Sequence, residues 1–255
     1  MNEYDDFKAD CEQEISEMGM ASNLRTKSIE WLIESSHYKY TYHFEWLGRP
    51  IIQYPTDIVA LQEIIWNQKP DLIIETGIAH GGSLVLNASI LALLDLFDLE
   101  EGKPNPIPRK VIGIDIDIRR HNRTAIEQHP LSKRIELIEG SSVSVEVVKK
   151  VKESARDFKR VMVILDSDHT HRHVFEELTI YSNFVSKDQY LVVFDTVIEN
   201  FPKGSFPNRD WDKGDNPFTA VAQFLEQTSD FYLDTKIEDK LLVTVAPSGY
   251  LKRIN

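Results

Sequence analysis

Residues 72–84 read LIIETGIAHGGSL, and the fold turns on how that run divides. Leu72-Ile73-Ile74 is continuously apolar, as in a strand buried on both faces. Glu75 to Ser83 then gathers an acid, Gly77, Gly81, Gly82 and a serine, and LVLNASILALLDLF (84–97) has helical length and spacing. A buried strand, a glycine turn and a helix make the opening unit of a parallel α/β sheet. Glycines let the backbone approach a ligand, and the N–H groups of the helix start face the space above the strand. The turn matches neither a GxxxxGK[ST] phosphate loop nor a clean GxGxxG. An acid at the strand end repels phosphate and suits an amine or a hydroxyl, so Glu75, Gly77, Gly81 and Ser83 are candidate binding residues.

The same rhythm runs outward from this unit. Upstream, Pro55-Thr56-Asp57 predicts a helix start with Thr56 as N-cap, and Ile58, Leu61, Ile64 and Ile65 share one face. Downstream, strand-like VIGIDID (111–117), RIELIEG (134–140), VMVIL (161–165) and YLVVFD (190–195) alternate with helical segments near 121–129, 143–157 and 173–185. That alternation specifies βαβ crossovers and a doubly wound parallel sheet. PFTAVAQFLEQ (217–227) reads as a helix; FYLDTKI and KLLVTVAP read as two antiparallel strands around a turn at Glu238-Asp239. Residues 1–50 form a helical, then aromatic, N-terminal extension, with SIEWLIES (28–35) helical and HYKYTYHFEW (37–46) rich in rings; residues 51–255 form the main domain. The Gly-, Pro-, Asn- and Asp-rich stretch 200–217 is long for an idle connection and is expected to be a functional loop.

Composition narrows the classes. With 42% hydrophobic and 27% charged residues over 255 positions, the chain suits one large globular domain. A net charge of −12 argues against a nucleic-acid surface, and the basic group Arg119-Arg120-His121-Asn122-Arg123 reads as a solvated helix start. The single cysteine, Cys11, excludes an internal disulfide framework and fits a reducing cytoplasm. No apolar run approaches the roughly 20 residues of a bilayer span, and the acidic first residues do not resemble a signal peptide. The expectation is a cytoplasmic protein with no membrane span.

Two further strand ends carry polar chemistry. The second strand ends at Asp115, where a carboxylate in a doubly wound sheet accepts hydrogen bonds from ribose hydroxyls. The third is followed by Gly140-Ser141-Ser142. Together with the glycine turn, these point to an adenosine-containing cofactor. The fourth strand runs into ILDSDHTHRH (164–173) and the fifth into Asp195, which brings Asp166 and Asp195 out at the same sheet edge. Two facing carboxylates call for a cation or a proton between them, and an oxygen-rich site suits Mg²⁺.

YHFEWLGRPIIQYPTDI, IIETGIAHGGSL, GIDIDIR, LDSDHTHRHVFEEL, NRDWDKGDNP and LLVTVAPSGYLKR together resemble the class I S-adenosylmethionine-dependent methyltransferases. More narrowly, they resemble the cephalosporin hydroxylase / rhamnosyl O-methyltransferase family, from about residue 41 to the end. The resemblance implies a mostly parallel seven-stranded Rossmann-like sheet with an antiparallel C-terminal strand. It implies S-adenosyl-L-methionine as cofactor, with Gly77, Ile78 and Ser83 at its methionine part, Asp115 at the ribose, and Ser142 and Val143 flanking the adenine. It also implies a divalent cation, Mg²⁺ or another, on Asp166 and Asp195. Related sequences often place two adjacent acids at the fifth strand end; here Phe194 precedes Asp195, so Thr196, Asp168 or water would complete the set.

The implied reaction is methyl transfer to a hydroxyl of a sugar, a glycoside or a nucleotide sugar, by a homo-oligomeric enzyme. His169 is the preferred base, because imidazole ordinarily titrates near neutrality, and Asp168 is its rival; His171 and His173 are expected at the surface or in support. Trp211, the 200–217 loop and the aromatic segment 38–46 are the candidate acceptor contacts, with Trp46 expected in packing. Two alternatives stay open: a non-catalytic accessory subunit, or an iron hydroxylase using His169, His171 and Asp166.

Overall fold

The computed structural model describes residues 2–255. The N-terminal part consists of α1 (Glu3–Met20), α2 (Ser22–Ser36) and a hairpin of β1 (Phe44–Trp46) with β2 (Arg49–Ile51). The 50/51 boundary expected from the sequence falls inside β2, so the hairpin belongs to both parts. Then follow α3 (Pro55–Gln68), β3 (Leu72–Thr76), α4 (Gly82–Glu100), β4 (Lys110–Asp115), α5 (Arg120–Glu127), β5 (Ile135–Glu139) and α6 (Val145–Ala155). The second half comprises β6 (Val161–Leu165), α7 (His171–Tyr181), β7 (Tyr190–Val193), α8 (Pro217–Gln227), β8 (Phe231–Leu233), α9 (Thr235–Leu241) and β9 (Tyr250–Arg253).

Seven strands form one sheet in the order β5-β4-β3-β6-β7-β9-β8, parallel from β5 through β7, with β9 antiparallel to both β7 and β8. Strand residues alternate between the faces. Ile73, Val111, Met162 and Val192 pack under α3 and α4; Leu72, Ile74, Ile112, Val163 and Leu191 pack under α6, α7 and α8. Strand order reverses direction between β3 and β6, and open α/β sheets bind ligands at the carboxyl ends beside such a switch.

Three local expectations are corrected. Helix α3 has Tyr54 as its N-cap position with Pro55 at its first turn; proline needs no partner for an N–H there, so the helix starts two residues early. The Thr56 hydroxyl instead donates to the Val243 carbonyl at 2.5 Å. The turn expected at Glu238-Asp239 is helix α9, and the final strand is Tyr250–Arg253 rather than KLLVTVAP. The cause is Asp57: its buried carboxylate accepts the Val245 N–H at 3.0 Å and the Thr244 and Tyr250 hydroxyls, which pins that segment across α3. The third concerns α4, which is long and apolar enough by composition to cross a membrane; half of it is buried, with Leu84, Leu91 and Leu94 against the sheet.

Candidate active site

The turn after β3 is held in shape from three directions. Gly77 has φ +88°, and a Cβ there would fall on the carbonyl oxygen of Asp166, so the turns after β3 and β6 touch backbone to backbone. Ala79 also lies in the left-handed region, at φ 45°. Asn122 donates to its carbonyl at 2.8 Å, and Arg49 from the hairpin donates through Nε to His80 O at 3.0 Å. Asp115 closes the turn from β4, its Oδ2 accepting the Ile78 N–H at 2.9 Å.

Above these strand ends lies a cavity of about 950 Å³. On the cofactor side Gly77, Asp115 and Ser142 are in its wall. Ile78 faces an adjoining small recess, its N–H engaged by Asp115. Glu75, Gly81, Ser83 and Val143 stand back from the wall. Glu75 is 1% exposed and accepts hydrogen bonds from the Ser83 hydroxyl and from Asn87 Nδ2 at 2.7 Å. Burial pushes its carboxyl up to about 7 despite those two donors. Glu75 and Ser83 brace the start of α4, with Ser83 also lining the small recess that Ile78 faces, and the Ile126 side chain stands against Gly81.

One wall residue escaped the sequence reading, and a second, His173, stands closer to the site than a surface position. Gln53, between β2 and α3, is 3% exposed with a buried Oε1 that has no partner among the described residues. An orphaned acceptor on the cavity wall fits the ammonium group of a bound amino acid moiety. Its sequence signal was confined to the IIQYPTD motif, which carried no role. His173 also lines the cavity, where its Nε2 lies 3.1 Å from Ser142 Oγ and 3.5 Å from the buried carboxylate of Glu177. The Glu177 hydrogen bond raises the His173 pKa.

On the acceptor side, Asp166, His169 and Asp195 each offer a ligand atom within 4.8 Å of the others. His169 Nε2 lies 3.1 Å from Asp195 Oδ2, and Asp195 is held at φ 58°, an uncommon conformation for an aspartate. Burial, then the charges of Asp195, Glu75 and Glu177, push the Asp166 carboxyl well above its usual range. No protein donor reaches that carboxylate among the described residues. Two opposed carboxylates with an imidazole beside them fit a divalent cation that keeps part of its water.

The other sequence candidates are occupied elsewhere. Phe194 is 2% exposed and packs into the core. Thr196 is fully buried outside the cavity wall and donates to Pro247 O at 2.6 Å. Asp168 lies in the cavity wall but is engaged by Thr170, the N-cap of α7, accepting its N–H at 2.8 Å and its hydroxyl at 2.6 Å. Partial burial pushes the Asp168 pKa up, but the Thr170 hydrogen bonds outweigh it and the net shift is downward, which makes a poor base. His171 turns away to Thr219 and Gln223, each at 2.8 Å, so the His169, His171 and Asp166 set for iron does not assemble. Trp211 stands edge-on to His169 at 5.3 Å, with Phe206 and Arg209 against it. Tyr40 and Lys39 close the outer wall, while Trp46 is bonded to Ser89 at 3.0 Å, outside the cavity.

A seven-stranded sheet in this order, with a glycine turn bound to an acid at the neighbouring strand tip, is a Rossmann-like methyltransferase fold. The chain belongs to the Rhamnosyl O-methyltransferase/CmcI family, whose model matches residues 38–254. It is 28% identical over 203 residues to the rhamnosyl O-methyltransferase of Mycobacterium tuberculosis (strain ATCC 25618 / H37Rv), covering 78% of this chain and 73% of that protein. A solved structure described as "cmcI-D160 Mg-SAM" superposes with a TM-score of 0.55 at 18% identity, covering 84% of this chain and 78% of the other. The apo structure of CalS11, a TDP-rhamnose 3'-O-methyltransferase of calicheamicin biosynthesis, gives 0.51 at 14% identity, covering 96% and 93%.

Proposed function

We propose that this protein is an S-adenosylmethionine-dependent O-methyltransferase acting on a hydroxyl of a sugar, in free, glycosidic or nucleotide-linked form, in a reducing cytoplasm. The observation that carries the reading is one cavity with two chemistries: Gly77 and Asp115 on one wall, Asp166, His169 and Asp195 on the other. Family membership and the name of the mycobacterial relative support a sugar acceptor.

The cofactor supplies a methyl group on a positively charged sulfonium; the divalent cation supplies charge that lowers the pKa of a nearby hydroxyl. In the transfer the methyl carbon's bond to sulfur breaks as its bond to the acceptor oxygen forms, and the hydroxyl proton must leave. This chain's residues position the partners and take that proton. Asp115 would orient the ribose end, Gln53 would offer its free oxygen to the ammonium, and Asp166 and Asp195 would hold the cation. His169, oriented by Asp195 through Nε2, has its other ring nitrogen for the proton; that pairing follows the logic of an imidazole steadied by a carboxylate. Trp211 walls off His169, and Lys39 and Arg209 make no ion pair among the described residues. Two free cations at the mouth of a cavity in a chain of charge −12 favour an acceptor that carries phosphate.

The test is methyl transfer from labelled S-adenosylmethionine to a panel of sugars and nucleotide sugars. His169→Ala should lower kcat by roughly 10²–10⁴-fold while leaving cofactor affinity within about threefold. Calorimetry showing no binding of S-adenosylmethionine or S-adenosylhomocysteine would remove the reading; equal turnover in the variant would remove His169 as base.

A further inference from the structure

Helix α7 turns three polar side chains to one side, His173, Glu177 and Tyr181, each four residues after the last. The Tyr181 hydroxyl donates to the Ser142 carbonyl at 2.7 Å and anchors the turn after β5. Glu177 is fully buried, and its Oε2 has no hydrogen-bond partner among the described residues. The other oxygen, Oε1, accepts the Ser167 hydroxyl at 2.7 Å and lies 3.5 Å from His173 Nε2. That ring nitrogen in turn stands 3.1 Å from Ser142 Oγ. A buried acid with one orphaned oxygen is costly to fold around, and the transfer step makes no use of Glu177.

The chain of contacts fixes where two hydroxyl protons point. An ionised carboxylate only accepts, so the Ser167 proton is committed to Glu177 and the Ser167 oxygen is left with lone pairs. For the same reason the ring nitrogen facing Glu177 carries hydrogen, whether the imidazole is neutral or charged. Toward Ser142 that nitrogen is a donor too, so Ser142 Oγ accepts from it and keeps its own proton for a ligand. Ser142, Ser167 and His173 all line the cavity. One hydroxyl therefore meets a ligand as a donor and the other as an acceptor.

We propose that Glu177 is a positioning residue that sets this polarity, and that Ser142 and Ser167 together select adenine as the base of the cofactor. The proposal rests on the reading of the cavity as an S-adenosylmethionine site. The outer edge of adenine carries a ring nitrogen that accepts, N1, next to an amino group that donates, N6. Ser142 meets the first and Ser167 the second. Hypoxanthine has a carbonyl in place of the amino group and a hydrogen on N1, so its pattern is reversed at both atoms. In this site it sets donor against donor and acceptor against acceptor.

The probes are S-adenosylhomocysteine and its deaminated form, S-inosylhomocysteine, each titrated by calorimetry into the full chain. The wild type should bind the adenine form roughly 100-fold more tightly, or more. Glu177→Gln keeps the size of the side chain, but its amide can donate to Ser167 and frees both hydroxyls to turn. The ratio of the two affinities should then fall below about tenfold. An equal loss of affinity for both ligands, with the ratio unchanged, makes Glu177 purely structural and overturns the proposal. If Glu177→Gln does not fold, Ser142→Ala removes the donor alone and should lower the ratio about tenfold; an unchanged ratio there also overturns it. Tight binding of both ligands by the wild type with a ratio near one removes this proposal and leaves the cofactor reading standing. Binding of neither removes both.

Discussion

Glu75 and Asp166 end neighbouring strands of one sheet, yet they have opposite lives. Glu75 is enclosed by donors, Ser83 and Asn87, and spends its charge holding the start of α4. Asp166 has no donor among the described residues, faces Asp195 and His169, and opens onto the cavity. Both are raised by burial, so desolvation does not distinguish them. What does is whether the fold supplies hydrogen-bond partners: a satisfied buried acid is architecture, and an unsatisfied one at a cavity wall is available for a cation or a substrate.

Removing the charge from each acid should break that comparison in different observables. Asp166→Asn keeps the shape and loses the ligand, so turnover should fall by roughly 10³-fold with cofactor affinity little changed. Added Mg²⁺ should raise the melting temperature of the wild type but not of this variant. Thermal scans and single-turnover methyl transfer check both halves.

Glu75→Gln should instead act on stability and its pH dependence. Glu75 titrates at about 7 in the fold against 4.5 ordinarily, so the folded state binds its proton more tightly than the unfolded state does. Stability therefore falls as pH rises from 4.5 to 7, by on the order of 3 kcal/mol, and is level outside that window. The glutamine amide can donate to Ser83 while its oxygen accepts from Asn87, so the variant should lose this slope. Asp57, raised by burial to about 6 against its three hydrogen bonds, contributes a residual slope of the same sign. Urea unfolding at pH 5 and pH 7.5 measures the difference.

The contact between the two turns can be probed at Gly77. Gly77→Ala should cost about 2 kcal/mol or more, because its Cβ meets the Asp166 carbonyl at a positive φ. Gly102→Ala, also at positive φ but with open space around it, should cost about 1 kcal/mol. The smallest effect belongs to the outer wall. Trp211→Ala should raise the acceptor KM by roughly tenfold with kcat nearly unchanged, since the ring contributes packing rather than proton transfer.

Much of this molecule could be read from the order of its residues. Leu72-Ile73-Ile74, Val161 to Leu165 and Tyr190 to Val193 are apolar without alternation, and only a doubly covered sheet accommodates such strands. Because strand ends were legible, so were the acids placed on them: Asp115, Asp166 and Asp195. The C-terminal segment was not legible. KLLVTVAP has a strand's composition, but Asp57, nearly two hundred residues earlier, takes its N–H and hydroxyl groups before a sheet can. Gln53 was missed, and His173 was placed only at the surface or in support, for a related reason: nothing local shows that one is left without a partner and the other is turned to the cavity beside Glu177.

The sequence by itself determined the sheet, its helices, the glycine turn and the positions of the strand-end acids, since each depends on short-range periodicity and backbone freedom. Only the tertiary structure decided which acid is braced and which is free, that Asp168 is tied to the cap residue Thr170 while His169 meets Asp195, and that Phe194 lies in the core. Those outcomes depend on donors and neighbours brought from distant parts of the chain, and desolvation gives each of them its energetic weight.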